Sequence, residues 1–395
     1  MDFRDSPAEA EFRGQVREWL HEHLPQGWLE ACPAAPSADE TIALRRWWQR
    51  ELYDGGWLGL TWPSAYGGQD GALVQQVIFD EEAAKAQAPE PINTIGLFMA
   101  GPTIMTWGTE EQKSRWLQPL LRGDEIWCQG FSEPGSGSDL GSLRTRAVRE
   151  GDAYVVNGQK VWTSYGHLAD FCILVVRTDL DAPKHSGLTY LIAEMDDPGV
   201  TVRPLVQITG DPEFNELFFD DARVPVRNRL GGEGDGWRVA MTTLMHERGT
   251  MGAALQVGAR ITLDRLVELV HKLDRADDPA VRERIAGFQL DIEALRITNL
   301  RSLSKLAKDT SGKGTPGPEG SMAKLLWERA QQGMGEFAME LLGSSGLVMQ
   351  GPETTGEGFW QRVYLRGRGH TIEAGTTEIL KSIIAERVLG LPRSR

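Results

Sequence analysis

The feature that most constrains the fold of this chain is a change in residue pattern that occurs twice along its length. Up to about residue 124, apolar residues recur at the three- and four-residue spacing of amphipathic helices. From about residue 125 the pattern becomes one of short β-rich runs separated by turn residues, and helical spacing returns after the glycine-rich stretch 231–236. This order predicts an α+β protein built from several domains.

The two changes of pattern also predict the domain boundaries. We expect an N-terminal α-helical domain over residues 1–124, a middle β-barrel or β-sandwich domain over residues 125–230, and a C-terminal four-helix bundle over residues 231–395. Helices are expected at 8–24, 38–53, 72–88, 92–106, 109–121, 236–274, 280–308, 321–344 and 373–389.

Turn residues predict two connections. Asn157-Gly158 lies between β-rich residues and predicts a tight hairpin turn, because Asn and Gly readily adopt the positive φ angles of such a turn. The stretch 309–320 is dominated by Gly, Pro, Thr and Ser and predicts a flexible surface loop. The remaining β-rich runs, which we expect to form strands, are 171–177, 188–194, 200–205 and 215–219.

Composition narrows the class of protein. Hydrophobic residues make up 41% and charged residues 25% of the chain, as in soluble globular proteins. The polar first residues and the lack of a long apolar run predict neither a signal peptide nor a membrane span. A net charge of −14 argues against nucleic-acid binding. Cys32, Cys128 and Cys172 lack metal-ligand spacing, so we expect buried free thiols in a cytoplasmic protein without a metal site.

Two short motifs of the β domain can together hold a flat, polar ligand. Residues 131–139 (Phe-Ser-Glu-Pro-Gly-Ser-Gly-Ser-Asp) combine serine hydroxyls with flexible glycines, so one turn can present several backbone N–H groups. In residues 160–164 the indole of Trp162 can pack against a ring whose polar edge meets two hydroxyls. An ordinary loop is the alternative for the first motif. A dinucleotide-binding fingerprint is rejected, because Leu140 stands where its third small residue belongs.

The motifs and their order resemble those of the acyl-CoA dehydrogenase family. The resemblance covers nearly the whole chain and includes residues 131–139, the Trp162-Thr163-Ser164 motif and the C-terminal motif 375–379 (Gly-Thr-Thr-Glu-Ile). It implies FAD as cofactor, α,β-desaturation of an acyl-CoA thioester and electron transfer to an electron-transferring flavoprotein. It also implies a homotetramer or dimer.

The resemblance assigns cofactor roles to individual residues. Hydroxyl and amide donors at the flavin edge stabilise the negative charge that the ring gains on reduction. Ser138 is similar to a residue that contacts the acyl-CoA as well as the cofactor, and Arg248 is expected to bind substrate. The residues expected to bind FAD are Phe131, Ser132, Gly137, Ser138, Trp162, Ser164, Thr376 and Glu378.

The catalytic base departs from the usual family pattern. Most members carry a Glu directly before the Gly-Thr of the C-terminal motif, whereas this chain has Ala374 there. Some members carry the base on the helix after the β domain, directly before an arginine, and Glu247-Arg248 resembles that arrangement. We therefore expect Glu247 to remove the α-proton. Glu373 is the weaker alternative, because a shift of one residue turns a helical side chain by about 100°, and His370 is expected to be structural.

Other departures leave alternatives open. The family's Arg-x-x-Phe-Gly segment has no clean match, and Arg275, Arg282 and Arg284 are the candidates for its arginine. Glu340 stands where the family has Gln. These features are similar to those of a bacterial branch that acts on bulky acyl-CoAs such as sterol side chains, and Gly249 also predicts room for such a chain. The alternative functions are a non-catalytic subunit of a heteromeric enzyme and an oxygen-using oxidase or monooxygenase of the same fold.

Overall fold

The computed structural model describes residues 5–25, 27–28, 39–250, 252–306, 320–351 and 354–392. Within these ranges, the side chains of residues 247–250, 252–254, 303, 306 and 355 lie outside the description. Cys32 and nearly all of the loop predicted at 309–320 also fall outside it.

Contacts between residues divide the chain into two compact units. The bundle unit comprises Met1–Leu24, Leu73–Ala88 and Arg248–Arg395, and the sheet unit comprises Pro25–Ala72 and Pro89–Glu247. The first third of the chain therefore contributes to both units.

The predicted order of helices, sheet and helices is confirmed. The single helix predicted at 236–274 is two helices, and the helix Phe359–His370 was not predicted. The α-helices are α1 (Pro7–His23), α2 (Asp39–Asp54), α3 (Leu73–Lys85), α4 (Gly101–Trp107), α5 (Glu110–Arg122), α6 (Gly236–Thr250), α7 (Gly252–Lys272), α8 (Pro279–Leu306), α9 (Gly320–Leu342), α10 (Phe359–His370) and α11 (Thr377–Ile383). No helix within the described ranges has the length and apolar character needed to cross a bilayer.

Local sequence signals account for where helices begin and end. Helix α1 starts with a capping box, in which Ser6 accepts from the Glu9 amide and the Glu9 carboxylate accepts from the Ser6 amide. Helix α5 starts in the same way at Thr109 and Gln112, and it ends at Gly123, whose φ of 76° favours glycine. These caps satisfy backbone groups that have no partner inside the helix.

The sheet unit is built on one mixed sheet. Its strand order is β6-β7-β3-β2-β4-β5-β8, and β1 pairs with β4 in parallel. Strands β4 and β5 are buried on both faces, which explains their continuous apolar sequences. The strands are β1 (Trp127–Gly130), β2 (Arg146–Glu150), β3 (Ala153–Ser164), β4 (Phe171–Arg177), β5 (Leu188–Glu194), β6 (Val200–Leu205), β7 (Phe214–Pro225) and β8 (Arg229–Leu230).

The hairpin turn predicted at Asn157-Gly158 is wrong. Strand β3 continues through both residues and pairs with β7, with a register shift between Val156 and Gly158. The Asn157 side chain donates to the Asp221 carboxylate and accepts from the Asp221 amide, so the strand stays paired across the shift. The register shift is thus a β-bulge, in which Asp220 and Asp221 of β7 lie opposite Asn157 of β3. The turn lies earlier, where Gly151, with φ of 64°, joins β2 to β3.

Two of the three cysteines can be located. Cys128 on β1 and Cys172 on β4 are register partners, and both are buried and free. Burial raises the pKa of the Cys128 thiol, which keeps it protonated and unreactive. The expected buried free thiols are present at these two positions.

A buried carboxylate ties α1 to α3 in the bundle unit. Glu82 on α3 is 4% exposed and accepts from Arg13 at 2.7 Å, Arg17 at 2.6 Å and Lys85 at 2.7 Å. Burial alone would raise the pKa of Glu82, but the three cations lower it to about 2. The folded protein therefore holds this group ionised more strongly than the unfolded chain does.

We expect Glu82→Gln to lower the free energy of unfolding by about 2 kcal/mol at neutral pH, because charged hydrogen bonds are lost. The stabilisation from a lowered carboxyl pKa is complete above its unfolded value of 4.5 and is lost as pH falls toward 2. Urea unfolding at pH 7, 5 and 3 should show the difference between wild type and variant shrinking only below about pH 4.5. A difference that is constant down to pH 3 would contradict this assignment.

Candidate functional site

The loop that follows β1 is held in place by a buried ion pair. The Lys160 ammonium on β3 is fully buried and donates to the Glu133 carboxylate at 2.9 Å and to the Phe131 carbonyl at 3.0 Å. Glu133 also accepts from the backbone N–H groups of Arg144 at 2.7 Å and Thr145 at 2.8 Å. Burial opposes ionisation of both partners. The Lys160 cation and these donors nevertheless hold the pKa of Glu133 below its ordinary value.

The outer part of the same loop is open. Glu133 and Ser136 exchange two backbone hydrogen bonds, which close a tight turn. Around a Cβ placed on Gly135 or Gly137, no atom from another part of the described chain lies within 4 Å. Ser138 is exposed. The turn therefore presents serine and glycine backbone to a ligand without steric obstruction.

Trp162 projects from an irregularity in β3. The register with β7 shifts between Lys160 and Thr163, and Trp162 has a positive φ of 62°. This backbone conformation is costly for an aromatic residue and marks a constrained site. The indole is 56% exposed and meets Phe214 edge to face, with ring centroids 5.8 Å apart. One face of a large aromatic ring is thereby available.

These residues fit a flavin. The Thr163 hydroxyl next to the indole is buried and has no hydrogen-bond partner in the described part of the chain. A buried hydroxyl without a partner is costly, so it signals a polar group supplied by a ligand. The exposed Trp162, the half-buried Ser164 and the open glycine turn match a flat ring with a polar edge.

Buried hydroxyl groups fix helix α6 in the sheet unit. The Thr243 hydroxyl lies 2.9 Å from that of Thr103 and 3.1 Å from that of Tyr190. Thr103 donates in addition to the Met99 carbonyl. Burial raises the pKa of Tyr190 above its ordinary value, so its hydroxyl stays protonated and can donate. The same Tyr190 ring packs edge to face on Phe131, at 5.8 Å.

The predicted base lies on this helix, one turn beyond Thr243. The backbone of Glu247 belongs to α6. The side chains of Glu247 and Arg248 lie outside the described residues, and so do the surroundings of Gly249. The predicted roles of these residues therefore stay predictions.

The C-terminal motif lies in the bundle unit. Thr376 caps α11 by accepting from the Ile379 amide at 3.3 Å, and Glu378 lies in the first turn of that helix. The buried Lys324 ammonium on α9 contacts the Glu328 carboxylate and donates to the Gly375 carbonyl at 3.2 Å. Glu328 accepts in turn from the Thr377 hydroxyl at 2.5 Å. The turn before α11 is therefore rigidly attached to α9.

Glu373 is occupied by structural partners. Arg366 donates to its carboxylate at 2.6 Å, and His370 Nδ1 lies 2.8 Å from it. Burial raises the pKa of Glu373, but His370 and Arg366 outweigh this and lower it to about 2. A carboxylate with so low a proton affinity is a poor general base. Ala374, with φ of 52°, has no carboxyl to offer.

Of the arginine candidates, Arg284 shares a groove of the bundle unit with Thr377 of the C-terminal motif. This groove, of about 1090 Å³, lies between α8 and α9. The Arg284 guanidinium lies 3.7 Å from the Glu340 carboxylate and 4.6 Å from the Phe337 ring centroid. Arg275 instead pairs with Asp278 at 2.6 Å.

The structure brings one group of the predicted site residues together. Phe131, Ser132, Gly137, Ser138, Trp162 and Ser164 all lie on the β1 loop and β3 of the sheet unit, where the Val161 amide donates to the Ser132 carbonyl at 2.9 Å. Thr376 and Glu378 belong to the bundle unit.

The sequence analysis assigned no role to Glu133, Lys160, Tyr190 or Thr243. One signal for a buried ion pair was available: Lys160 continues the alternation of buried residues along β3. A charged residue at such a position needs a buried partner.

Comparison with known proteins identifies the class. The model of the acyl-CoA dehydrogenase N-terminal domain matches residues 6–124, that of the middle domain residues 128–222, and that of the C-terminal domain residues 234–389. The chain therefore belongs to the acyl-CoA dehydrogenase family, whose members are FAD-dependent oxidoreductases acting on CH–CH groups. The family, fold class, enzyme class and cofactor inferred from the sequence are confirmed.

Individual relatives are similar over their full lengths. Acyl-CoA dehydrogenase IpdE1 of Mycobacterium tuberculosis is 42% identical over 97% of this chain and 98% of its own. The solved structure of the Tcur3481-Tcur3483 steroid ACAD is 30% identical, with a TM-score of 0.85 and complete coverage of both chains. The ChsE4-ChsE5 complex of Mycobacterium tuberculosis is 32% identical, with a TM-score of 0.84 and complete coverage of both chains.

The hydroxyl network at α6 yields a stability prediction. Thr243→Val should lower the free energy of unfolding by about 2 kcal/mol, because the buried hydroxyls of Tyr190 and Thr103 both lose their contact with the Thr243 hydroxyl. Tyr190→Phe removes the hydroxyl itself and leaves the Thr103–Thr243 contact intact, so it should cost only about 1 kcal/mol. Urea unfolding of both variants checks the ranking. An equal or greater loss in Tyr190→Phe would show that the network does not fix the helix in this way.

Proposed function

We propose that this protein catalyses α,β-dehydrogenation of a bulky acyl-CoA, with Glu247 as the base that removes the α-proton. FAD would supply the acceptor for the hydride that leaves Cβ. Trp162 would hold the flavin ring, while the hydroxyl of Ser164 and the backbone of Phe131 and Ser132 would orient its polar edge. Ser138 contacts both the cofactor and the thioester, and Arg248 binds the substrate beside the base.

The observation that carries this proposal is the state of the C-terminal turn. Ala374 supplies no carboxyl, and Glu373 is held ionised by Arg366 and His370 with a pKa of about 2. A base for an α-proton needs a higher proton affinity, which desolvation by a bound acyl chain provides. Glu247 is the remaining carboxylate that the family resemblance assigns to this task, and α6 is anchored one turn earlier through Thr243.

Residues of the bundle unit are also proposed to bind the cofactor. Thr376 and Glu378 are proposed to contact the phosphate and ribose region of FAD, following the family resemblance. Arg284 is the proposed replacement for the usual cofactor arginine, supported by the groove that it shares with Thr377.

The test of the base is anaerobic mixing of the purified FAD-loaded protein with a substrate acyl-CoA, followed by absorbance of the oxidised flavin. We expect Glu247→Gln to slow bleaching by 10²- to 10⁴-fold while FAD stays bound, since this is the usual contribution of a general base. Glu373→Gln is the matched control, which loses an ion pair and should keep a bleaching rate near that of wild type. Wild-type bleaching in Glu247→Gln, or loss of bleaching only in Glu373→Gln, would refute the assignment.

A steroid-derived acyl group is the proposed substrate class. The support is the 30% identity to a protein described as a steroid ACAD and the small Gly249 two residues after the base. A panel of thioesters separates the possibilities: steroid-side-chain, isobutyryl and straight-chain acyl-CoAs. We expect the steroid thioester to give the highest rate of flavin bleaching, and the proposal fails if only short linear chains react.

A heteromeric assembly is the second candidate. It is supported by the similarity to the ChsE4-ChsE5 complex, in which two different chains associate. Purification of this chain alone distinguishes the cases: a yellow, active preparation supports a homomeric enzyme with an electron-transferring flavoprotein as acceptor. A colourless preparation that turns active only with a second chain supports the heteromer, and rapid reoxidation of the flavin by air would support the oxidase alternative.

A further inference from the structure

Lys160 and Glu133 form a buried ion pair whose partners are both attached to the proposed flavin site. Lys160 is 0% exposed and lies on β3 two residues before Trp162. Glu133 is 9% exposed and lies two residues after Phe131. The ion pair therefore links the strand that carries the exposed indole to the loop that carries the proposed edge contacts.

The Lys160–Glu133 pair holds backbone groups of the loop in place. The Lys160 ammonium holds the Phe131 carbonyl at 3.0 Å, and the Glu133 carboxylate holds the backbone N–H groups of Arg144 and Thr145 at 2.7 and 2.8 Å. One cation and one carboxylate thus set the position of both ends of the loop. The direct backbone contact between strand and loop is the bond from Val161 N–H to the Ser132 carbonyl.

Stability alone does not account for this choice of residues. A buried ion pair gives little net stability over an apolar pair of similar volume, because both charges must leave water. Removing one partner is costly, since it leaves an uncompensated buried charge. Such a pair can instead fix one arrangement of the chain, because the two charges are satisfied in one geometry only.

We propose that Lys160 and Glu133 are positioning residues that hold the 131–136 turn against β3 in the geometry that binds FAD. This inference rests on the proposed assignment of Phe131, Ser132, Trp162 and Ser164 to the flavin. Both charged groups are buried, so the proposal has them act through the Phe131 carbonyl and the turn.

The experiment measures the dissociation constant of FAD for the folded apoprotein by titration, with folding checked by far-ultraviolet circular dichroism. Lys160→Met leaves Glu133 unpaired, and Glu133→Gln leaves Lys160 unpaired while keeping an acceptor for the backbone amides. We expect each to weaken FAD binding at least tenfold. The double variant, Lys160→Met with Glu133→Gln, has no unpaired charge, so it should bind FAD more tightly than Lys160→Met alone. It should still bind FAD at least threefold more weakly than wild type, because the Phe131 carbonyl has lost its donor.

One variant separates a positioning role from a general loss of stability, and a second replaces Lys160→Met if that protein does not fold. Glu82→Gln breaks a buried ion pair in the bundle unit and should lower the unfolding midpoint without changing the FAD dissociation constant. Should Lys160→Met not fold, Glu133→Asp shortens the carboxylate, keeps the charge and should weaken FAD binding about threefold.

The outcomes distinguish this inference from the proposed site. Folded Lys160→Met, or Glu133→Asp in its place, with a dissociation constant within twofold of wild type overturns the positioning role. Equal weakening by Glu82→Gln also overturns it. Unchanged FAD binding in both Trp162→Ala and Ser164→Ala instead overturns the assignment of the flavin contacts.

Discussion

The pairing of β3 with β7 is the interaction on which the sheet unit depends. These are twelve-residue strands, and β3 also pairs with β2, so β3 forms backbone hydrogen bonds with two neighbouring strands. The β3–β7 pair contains two register shifts: at the first, Asp220 and Asp221 of β7 lie opposite Asn157 of β3, and at the second, between Lys160 and Thr163, the extra residue is on β3. The regular pairs on either side hold these irregularities in place, which allows the second to project Trp162 with an unfavourable φ.

Helix α6 shows how the proposed position of the catalytic base is compatible with the fold. Its hydroxyl contacts to Tyr190 and Thr103 are buried and directional, so the helix has little freedom to rotate or slide. A helix fixed in this way is a suitable support for a base. At the C-terminal turn and the adjoining part of α9, by contrast, the charged groups pair with one another. Glu373 pairs with Arg366 and His370, and Lys324 pairs with Glu328.

The sequence was sufficient for the order of elements and for strands such as Phe171–Arg177, whose continuous apolar run has few other interpretations. It failed at Asn157-Gly158, because local turn preference competes with long-range pairing to β7, which no local pattern reveals. It placed Phe131 and Trp162 in the candidate site from motif chemistry. It could not find the Lys160–Glu133 pair, because the partners meet only after a loop folds back on a strand, and the C-terminal ion pairs depend on the same kind of tertiary contact.

The composition of the bundle unit has a consequence for biosynthesis. Helices α1 and α3 leave the ribosome long before α7, although α3 packs against both α1 and α7. All residues of the sheet unit are translated before Arg248, so that unit can acquire its hydrogen-bonded core while the chain is still growing. The face of α3 that packs against α7 stays uncovered until residues 252–272 have been made. Nascent chains that stall before α7 is complete should therefore depend on chaperones far more than the completed protein does.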